Sequence, residues 1–261
     1  MSSYIACQPF HTEAIQPHQK PLASEWESLV KILSSFSIDL SFLPPVVNNL
    51  DLSLISHHAF IWKNRSYISY SKQASLHAEP FIEAWLKYHG FDIQKMVLSR
   101  DDAMPIPFSG SADAIACDTS IYLGYGIYTS HHIANVLPSY FNAQVIDLAL
   151  IDKRTPHLID CFCPLPCGRA LVYEGGLDVL SRKRLARDFT LIPVTEYDAI
   201  AGACNALVLN HTIIMPRGCR DIMDQLFIHD YDVIEIDMPQ YRQRGYGCKS
   251  LISECIDCTL P

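Results

Sequence analysis

The sequence lacks a positive charge surplus, a long apolar run and an export signal. Its formal net charge is -8 over 261 residues, whereas a surface that binds nucleic acid needs an excess of lysine and arginine. No apolar run approaches the roughly 20 residues of a membrane-spanning helix, and no charged segment followed by an apolar one opens the chain. These absences argue against nucleic acid and membranes as partners, and they predict a cytoplasmic protein.

Zinc-ribbon spacing is also missing, although the chain has ten cysteines. Without an export signal, reduced thiols are expected rather than disulfides. Two groups suggest metal ligands: Cys255 with Cys258, and Cys161 and Cys163 with Cys167. Because neither group has the remaining spacing of a zinc site, burial as small apolar side chains is the favoured interpretation and a shared zinc the weaker one. We predict no metal site.

The chain does contain a repeat. Two short β-rich segments around a tight turn recur four times, at residues 59–69, 113–123, 160–172 and 205–215. The fifth copy is split, because residues 248–252 supply one strand near the C-terminus and residues 3–7 supply its partner near the N-terminus. Since 49% of the residues are hydrophobic, the chain can bury a substantial core.

A helix and one more strand complete each repeat, at a spacing of roughly 40 to 55 residues. The helices are predicted to follow Ser24, which opens a capping box with Glu27, and then Pro80, Thr129, Asp178 and Asp221. The additional strands are predicted at residues 38–43, 91–98, 144–150, 189–194 and 231–236. The sequence therefore predicts an α/β ring of five blades, closed by pairing its two terminal strands and forming one domain over residues 1–261.

Polar residues cluster where the first strand of each blade starts. They are Asp51, His57, His58, Asp113, His157, Asp160, Asn205 and Cys248. Taken singly, an aspartate at a strand start is commonly a turn cap, and a core histidine is more often hydrogen-bonded than catalytic. Because the first strands of a closed ring lie nearest its axis, these side chains are together expected to converge on the centre.

Five segments in order resemble the guanidino-group-modifying enzymes of pentein fold. The segments are Gly110–Ile115, Tyr122–Gly126, His157–Leu165, Cys204–Val208 and Gly245–Leu251. The chain is most similar to the dimethylarginine dimethylaminohydrolase branch, and less so to arginine deiminases and amidinotransferases. This resemblance implies a five-bladed α/β propeller, a cationic guanidino substrate and no cofactor.

The resemblance also implies roles for individual residues. Cys248 is the expected nucleophile, since a resonance-stabilised guanidinium carbon is best attacked by a soft thiolate that forms a thiouronium intermediate. His157 is expected to protonate the leaving amine and then deprotonate water. Asp113 and Asp51 are expected to hold the cationic group. Asp160, His57 and Asn205 complete the predicted substrate site.

Several positions depart from the family pattern. Relatives carry an aspartate two residues after the histidine, where this chain has Ile159, and the acid comes one position later at Asp160. On a strand, Asp160 would point to the opposite face, and a bulge would reverse this, so either Asp113 or Asp160 can be the partner of His157. The arginines that bind a substrate carboxylate are replaced by Tyr128 and, around Glu79, by Leu76.

The chain thus lacks both arginines that bind a substrate carboxylate, but it keeps Cys248 and His157. Two interpretations follow. Either the substrate is a guanidine or amidine without a free α-carboxylate, or catalysis is lost and the protein binds a ligand or another protein. An interaction protein that uses the Tyr241–Gly245 segment is a third class, although that segment is more typical of a solvated turn. The sequence leaves the substrate and the oligomeric state open.

Overall fold

Five three-stranded sheets form the protein. The computed structural model describes residues 3–9, 17–46, 50–70, 78–95 and 106–255. In blade order, the sheets contain β3 Ala59–Trp62, β4 Arg65–Ile68 and β5 Asp92–Gln94; β6 Ala114–Cys117, β7 Ser120–Tyr125 and β8 Gln144–Ala149; β9 Phe162–Leu165, β10 Arg169–Val172 and β11 Thr190–Pro193; β12 Leu207–Leu209, β13 Thr212–Pro216 and β14 Asp232–Ile236; and β15 Ile252–Cys255, β1 Ser3–Cys7 and β2 Asp39–Leu43.

Every sheet has the same topology. The middle strand pairs antiparallel with the first strand of its hairpin and parallel with the outer strand, as β7 does with β6 and β8. The first strands β3, β6, β9, β12 and β15 all contribute residues to one central cavity. The expectation that first strands lie nearest the axis is therefore confirmed, and the fold is the predicted five-bladed α/β propeller.

The ring closes through the chain's two terminal strands. In β1, Ile5 lies opposite Ser253 of β15 in an antiparallel pair and opposite Ser41 of β2 in a parallel pair. All five residues of β1 are buried. The predicted pairing of the N-terminal and C-terminal strands is confirmed, and β1 is the middle strand of its sheet.

A helix accompanies each sheet. These helices are α1 Lys20–Leu33, α2 Glu79–Tyr88, α3 Ile133–Phe141, α5 Val179–Asp188 and α7 Met223–Ile228. Three further short helices are α4 Leu158–Cys161, α6 Glu196–Ile200 and α8 Pro239–Arg242. No helix in the described ranges is long and apolar enough to cross a membrane.

Capping residues predicted the start of α5 correctly and the start of α1 wrongly. Asp178 caps α5, because its carboxylate accepts a hydrogen bond from the Ser181 amide at 2.7 Å. The predicted start of α1 at Ser24 is wrong. The helix begins at Lys20, with Pro21 in the first turn where its missing N–H costs nothing, and Ser24 instead accepts a hydrogen bond from Ser28 inside the helix.

Three predicted strand starts come too early. The strand predicted from Asn205 starts at Leu207, and the other two starts fall on helical turns. Residues 160 and 161 belong to α4, and β9 starts only at Phe162. Likewise, Lys249–Leu251 forms a 3₁₀ turn, so that β15 starts at Ile252 and not at Cys248. Both segments are helical turns leading into an axial strand, and this difference decides where the site residues point.

Candidate active site at the strand starts

Short helical turns precede the axial strands and bring the predicted site residues to one end of the axis. Turns at Ile55–His57, Gly110–Ala112 and Lys249–Leu251, together with α4, lead into β3, β6, β15 and β9. A side chain in such a turn projects sideways across the strand ends, because the backbone does not follow the pleat of the sheet. The turns therefore carry His57, Asp113, His157 and Asp160 towards each other.

His157 and Asp113 form a buried charge pair. The Nδ1 of His157 lies 3.2 Å from Oδ1 of Asp113, and the Asp113 side chain is fully buried. The same Oδ1 accepts a hydrogen bond from the Leu158 amide at 3.0 Å, and Oδ2 accepts one from the Thr129 hydroxyl at 2.6 Å. Burial works to lower the pKa of His157, but the Asp113 carboxylate outweighs it, so that the pKa is raised above 6.5.

This pair resolves an alternative that the sequence left open. Asp113 contacts the imidazole, whereas Asp160 accepts a hydrogen bond from the backbone amide of His157 at 3.1 Å. Asp160 can turn back to that amide because it lies in the first turn of α4. The acid that supports the His157 ring is therefore Asp113.

Asn205 links the α4 segment to the segment that contains Cys248. Its side-chain amide donates to Oδ1 of Asp160 at 2.9 Å, and its Oδ1 accepts from the Ser250 amide at 3.0 Å. Its backbone carbonyl accepts from the Lys249 amide at 3.2 Å. Burial raises the pKa of Asp160, although the His157 charge and the Asn205 amide oppose that effect. Asn205 thus holds two neighbouring turns in fixed register.

Aromatic rings surround His157. The His57 ring lies edge-on at 4.6 Å between centroids, and the Tyr128 ring stacks on His157 at 5.0 Å with 29° between the planes. Tyr246 contacts His57 edge-on at 5.7 Å. Burial, with a smaller contribution from the His157 charge, holds the pKa of His57 well below 6.5, so His57 is neutral. Its Nε2 is buried with no hydrogen-bond partner among the described residues.

Asp51 lies beside this ring cluster and acts through its backbone. The Asp51 carbonyl lies 2.7 Å from Nε2 of His58, and its carboxylate contributes to raising the pKa of Tyr246, where burial is the larger cause. The structure therefore places Asp51 near the predicted site without a described contact to His157.

Cys248 has a different environment from the other predicted residues. Its sulfur is fully buried, 3.6 Å from the sulfur of Met238, in an apolar cluster that includes Tyr241, Leu251 and Ile252. No hydrogen bond links it to His157 within the described residues. Burial, with a smaller contribution from Cys219, raises the pKa of the thiol. In this structure the Cys248 thiol therefore lies against Met238, in surroundings that disfavour the thiolate.

Two contributors were not recognised from the sequence. The Thr129 hydroxyl contacts Asp113 and also accepts from the Ser109 amide at 3.1 Å, and Tyr246 closes the ring cluster. Thr129 directly follows Tyr128, which stands where the family pattern has an arginine, and this neighbour is the one sequence signal that points to Thr129. Tyr246 stands between two glycines, and no periodicity predicts its direction. Leu76 and Cys258 lie outside the described residues.

The remaining sequence hypotheses concern thiols and a surface segment. Cys161 and Cys163 are buried while Cys167 is exposed, and no group of three or more histidine, cysteine or acidic residues in the described part of the chain is arranged to hold a metal. The idea that residues 241–245 form a wholly solvated turn is wrong at Tyr241. That side chain is buried, and its backbone amide donates to Glu25 of α1 at 3.2 Å.

Comparison with known sequences identifies relatives that act on arginine. No protein-family model matches the chain. The chain is 31% identical over 189 residues to the bifunctional arginine dihydrolase/ornithine cyclodeaminase ArgZ of Synechocystis sp., covering 70% of this chain and 26% of the relative. It is 26% identical over 234 residues to the AgrE enzyme of the same description from Nostoc sp., covering 87% and 32%. The chain thus spans a third or less of the length of these relatives.

Comparison with solved structures places the fold. The apo structure of ArgZ, an arginine dihydrolase, superimposes with a TM-score of 0.88 at 25% identity, covering 100% of this chain and 40% of that one. A dimethylarginine dimethylaminohydrolase adduct superimposes with a TM-score of 0.78 at 17% identity, covering 97% and 98%. The chain therefore has the pentein fold of these guanidino-group-modifying enzymes and is a divergent relative of them.

Proposed function

We propose that the protein hydrolyses a C–N bond of a cationic guanidino or amidine compound through a covalent intermediate on Cys248. The observation that carries this proposal is the buried His157–Asp113 pair at the end of the propeller axis. A buried carboxylate that raises the pKa of a histidine favours its protonated form, which can donate a proton to a leaving amine. The relatives that act on arginine support the same reaction class.

The proposed reaction has two steps. The Cys248 thiolate adds to the central carbon of the substrate, and His157 protonates the departing amine or ammonia, which leaves a thiouronium on the sulfur. The now neutral His157 then takes a proton from water, and the resulting hydroxide adds to the same carbon. The C–S bond breaks, which releases a urea-type product and regenerates the thiolate and the protonated imidazole.

Activation of Cys248 requires a change from the described state. The thiol is buried against Met238 and its pKa is raised, so it is not a nucleophile until it turns towards the substrate. The segment that carries it is anchored next to the site, because Lys249 and Ser250 both donate backbone hydrogen bonds to Asn205. In the proposed reaction, rotation about the Cys248 side chain brings the sulfur to the substrate, and the positive charge of the bound substrate favours the thiolate.

The substrate is proposed to lack a free α-carboxylate. Tyr128 occupies the position where relatives are expected to carry an arginine, and a phenol cannot form a bidentate ion pair. The Tyr128 ring stacks on His157 instead. An agmatine-like amine or a modified side chain fits this environment better than free arginine does.

The test is product release from a panel of guanidines and amidines. Arginine, agmatine and dimethylarginine are incubated with the protein, and ammonia, amine and urea-type products are measured. We expect turnover of at least one member, abolished by Cys248→Ser and retained by Cys167→Ser, which changes an exposed thiol. Turnover that persists in Cys248→Ser contradicts the proposed nucleophile.

A second candidate is ligand binding without catalysis. The contact between Cys248 and Met238 favours it, because a thiol held in an apolar cluster is inert. On this hypothesis, panel members bind to the wild-type protein and to Cys248→Ser equally well, and neither protein forms product. Measuring affinity and product release on the same two proteins separates the two candidates.

A further inference from the structure

The interior of the propeller contains a cavity that is separate from the ring cluster around His157. Its volume is about 230 Å³, and residues of all five axial strands line it. The wall is largely apolar and includes Phe60, Ile115, Leu207 and Ile252. None of His157, Asp113 and Cys248 lines it. Ser111 and Lys249 do line it and belong to turns that lead into the candidate active site, so the cavity adjoins that site without sharing these three residues.

Two oppositely charged side chains face this cavity. Lys249 and Glu254 both line it, yet no ion pair joins them in the part of the chain that the structure describes. The Lys249 charge acts to lower the pKa of Glu254, of Cys163 and of Cys117, each of which burial raises. Lys249 is itself partly buried and is one of the residues that line the cavity. Glu254 accepts a hydrogen bond from the Tyr4 hydroxyl at 3.4 Å.

Lys249 and Glu254 are both partly buried, and a partly buried acid and base that do not pair directly can each gain from a ligand that carries the opposite charge. The wall of the cavity also has apolar surface, and covering that surface with an apolar group is more favourable than leaving it in contact with water. A molecule with one carboxylate, one ammonium and an apolar body matches all three features. Its volume must be below the 230 Å³ of the cavity, which fits a free amino acid of medium size.

We propose that the axial cavity is a second small-molecule site, which binds a zwitterionic α-amino acid with an apolar side chain. The ligand carboxylate binds the Lys249 ammonium, the ligand ammonium binds the Glu254 carboxylate, and the side chain lies against Phe60, Leu207 and Ile252. This site is distinct from the proposed hydrolytic site and does not use Cys248.

The experiment uses calorimetric titration of the Cys248→Ser protein with L-leucine, so that binding is read without turnover. Two truncated probes, 4-methylpentanoate and 3-methylbutylamine, each lack one of the two charges. We expect both probes to bind at least tenfold more weakly than L-leucine. Lys249→Met is expected to weaken L-leucine at least tenfold while leaving 3-methylbutylamine unchanged, and Glu254→Gln to weaken it at least tenfold while leaving 4-methylpentanoate unchanged.

Matched surface variants and a cavity-filling variant complete the design. Lys153→Met and Glu27→Gln alter exposed side chains and are expected to leave L-leucine affinity unchanged, whereas Ala116→Leu fills the cavity and is expected to abolish binding. Absence of L-leucine binding, or binding that Lys249→Met and Ala116→Leu leave intact, overturns the proposal. Neither result affects the proposed hydrolase, which is judged by product release from guanidines.

Discussion

Asp113 contacts His157 across two blades, 44 positions apart in the chain, with 3.2 Å between Oδ1 and Nδ1. The contact joins the turn before β6 to the start of α4, and the Leu158 amide and Thr129 hydroxyl complete the hydrogen bonds of the carboxylate. A single aspartate therefore positions the imidazole, fixes the start of α4 and sets the charge of the site.

Asp113→Asn is expected to lower the pKa of His157, because burial is then opposed only by the smaller effect of the Asp160 carboxylate. The folded-state pKa of His157 is raised above the unfolded value, so the pair stabilises the fold fully below the unfolded pKa and less as pH rises through the folded pKa. The variant is thus expected to lose about 1–3 kcal/mol of unfolding free energy at pH 6 and less at higher pH. NMR titration and denaturant unfolding at several pH values measure both effects.

The control for Asp113→Asn is an exposed pair of the same chemistry. His131 lies 3.0 Å from Asp147, with 58% of its side chain exposed. His131→Gln is expected to change stability by less than about 0.5 kcal/mol at any pH. A pH-independent loss in Asp113→Asn would show that the hydrogen bonds to Leu158 and Thr129, and not the charge of His157, dominate.

Asn205→Ala is expected to destabilise the protein by about 2–3 kcal/mol, because it leaves Asp160 and the Ser250 amide buried without their partner. Urea unfolding measures this loss. Asn135→Ala, at an exposed position of α3, is the matched control and is expected to stay within about 0.5 kcal/mol of wild type. Equal stability of the two variants contradicts the role assigned to Asn205.

Ile5→Ala tests the closure of the ring. Ile5 is 1% exposed in the middle of the sheet that also contains β15, and truncating such a side chain costs about 2–5 kcal/mol. Because β15 follows the segment that contains Cys248, we expect product release to fall together with stability. Phe227→Ala, at a side chain that is 82% exposed, is expected to leave both unchanged.

Tyr128→Arg tests the proposed substrate class. A guanidinium at this position can pair with a substrate carboxylate, so the variant is expected to raise kcat/KM for arginine relative to agmatine by about tenfold or more, equivalent to roughly 1.4 kcal/mol. Tyr128→Phe retains the ring that stacks on His157 and is expected to leave this preference unchanged. An identical preference in wild type and Tyr128→Arg contradicts the assignment of Tyr128 to the substrate site.

The repeat made most of the fold predictable. Hairpins with a period of two, tight turns and the split fifth copy predicted the order of the blades and the pairing of β1 with β15. The capping box at Ser24 failed because Pro21 provides an earlier helix start, so that Ser24 lies inside the helix. Residue patterns describe strands and long helices well, but they do not distinguish a strand start from a single helical turn.

That same limitation applies to the candidate site. The sequence identified His57, Asp113, His157, Asp160 and Asn205, and the structure brings them to one end of the axis. The sequence did not predict that Asp160 accepts a hydrogen bond from the backbone of His157, because this contact depends on α4 replacing a strand start. It also did not predict that Tyr128 and Tyr246 pack around the histidines. The direction of the Cys248 side chain depends on a 3₁₀ turn of three residues, for which the sequence has no distinctive pattern.

Selective modification of Cys248 by a haloacetamidine is the most direct test of the proposed chemistry. The protein is treated at neutral pH with the cationic label or with iodoacetamide, and the modified cysteines are located by peptide mass spectrometry. We predict that the amidine modifies Cys248 faster than the exposed Cys167, that iodoacetamide shows the opposite order, and that Asp113→Asn slows amidine labelling of Cys248. Modification of Cys167 by both reagents, with Cys248 unmodified, would contradict a catalytic role for Cys248.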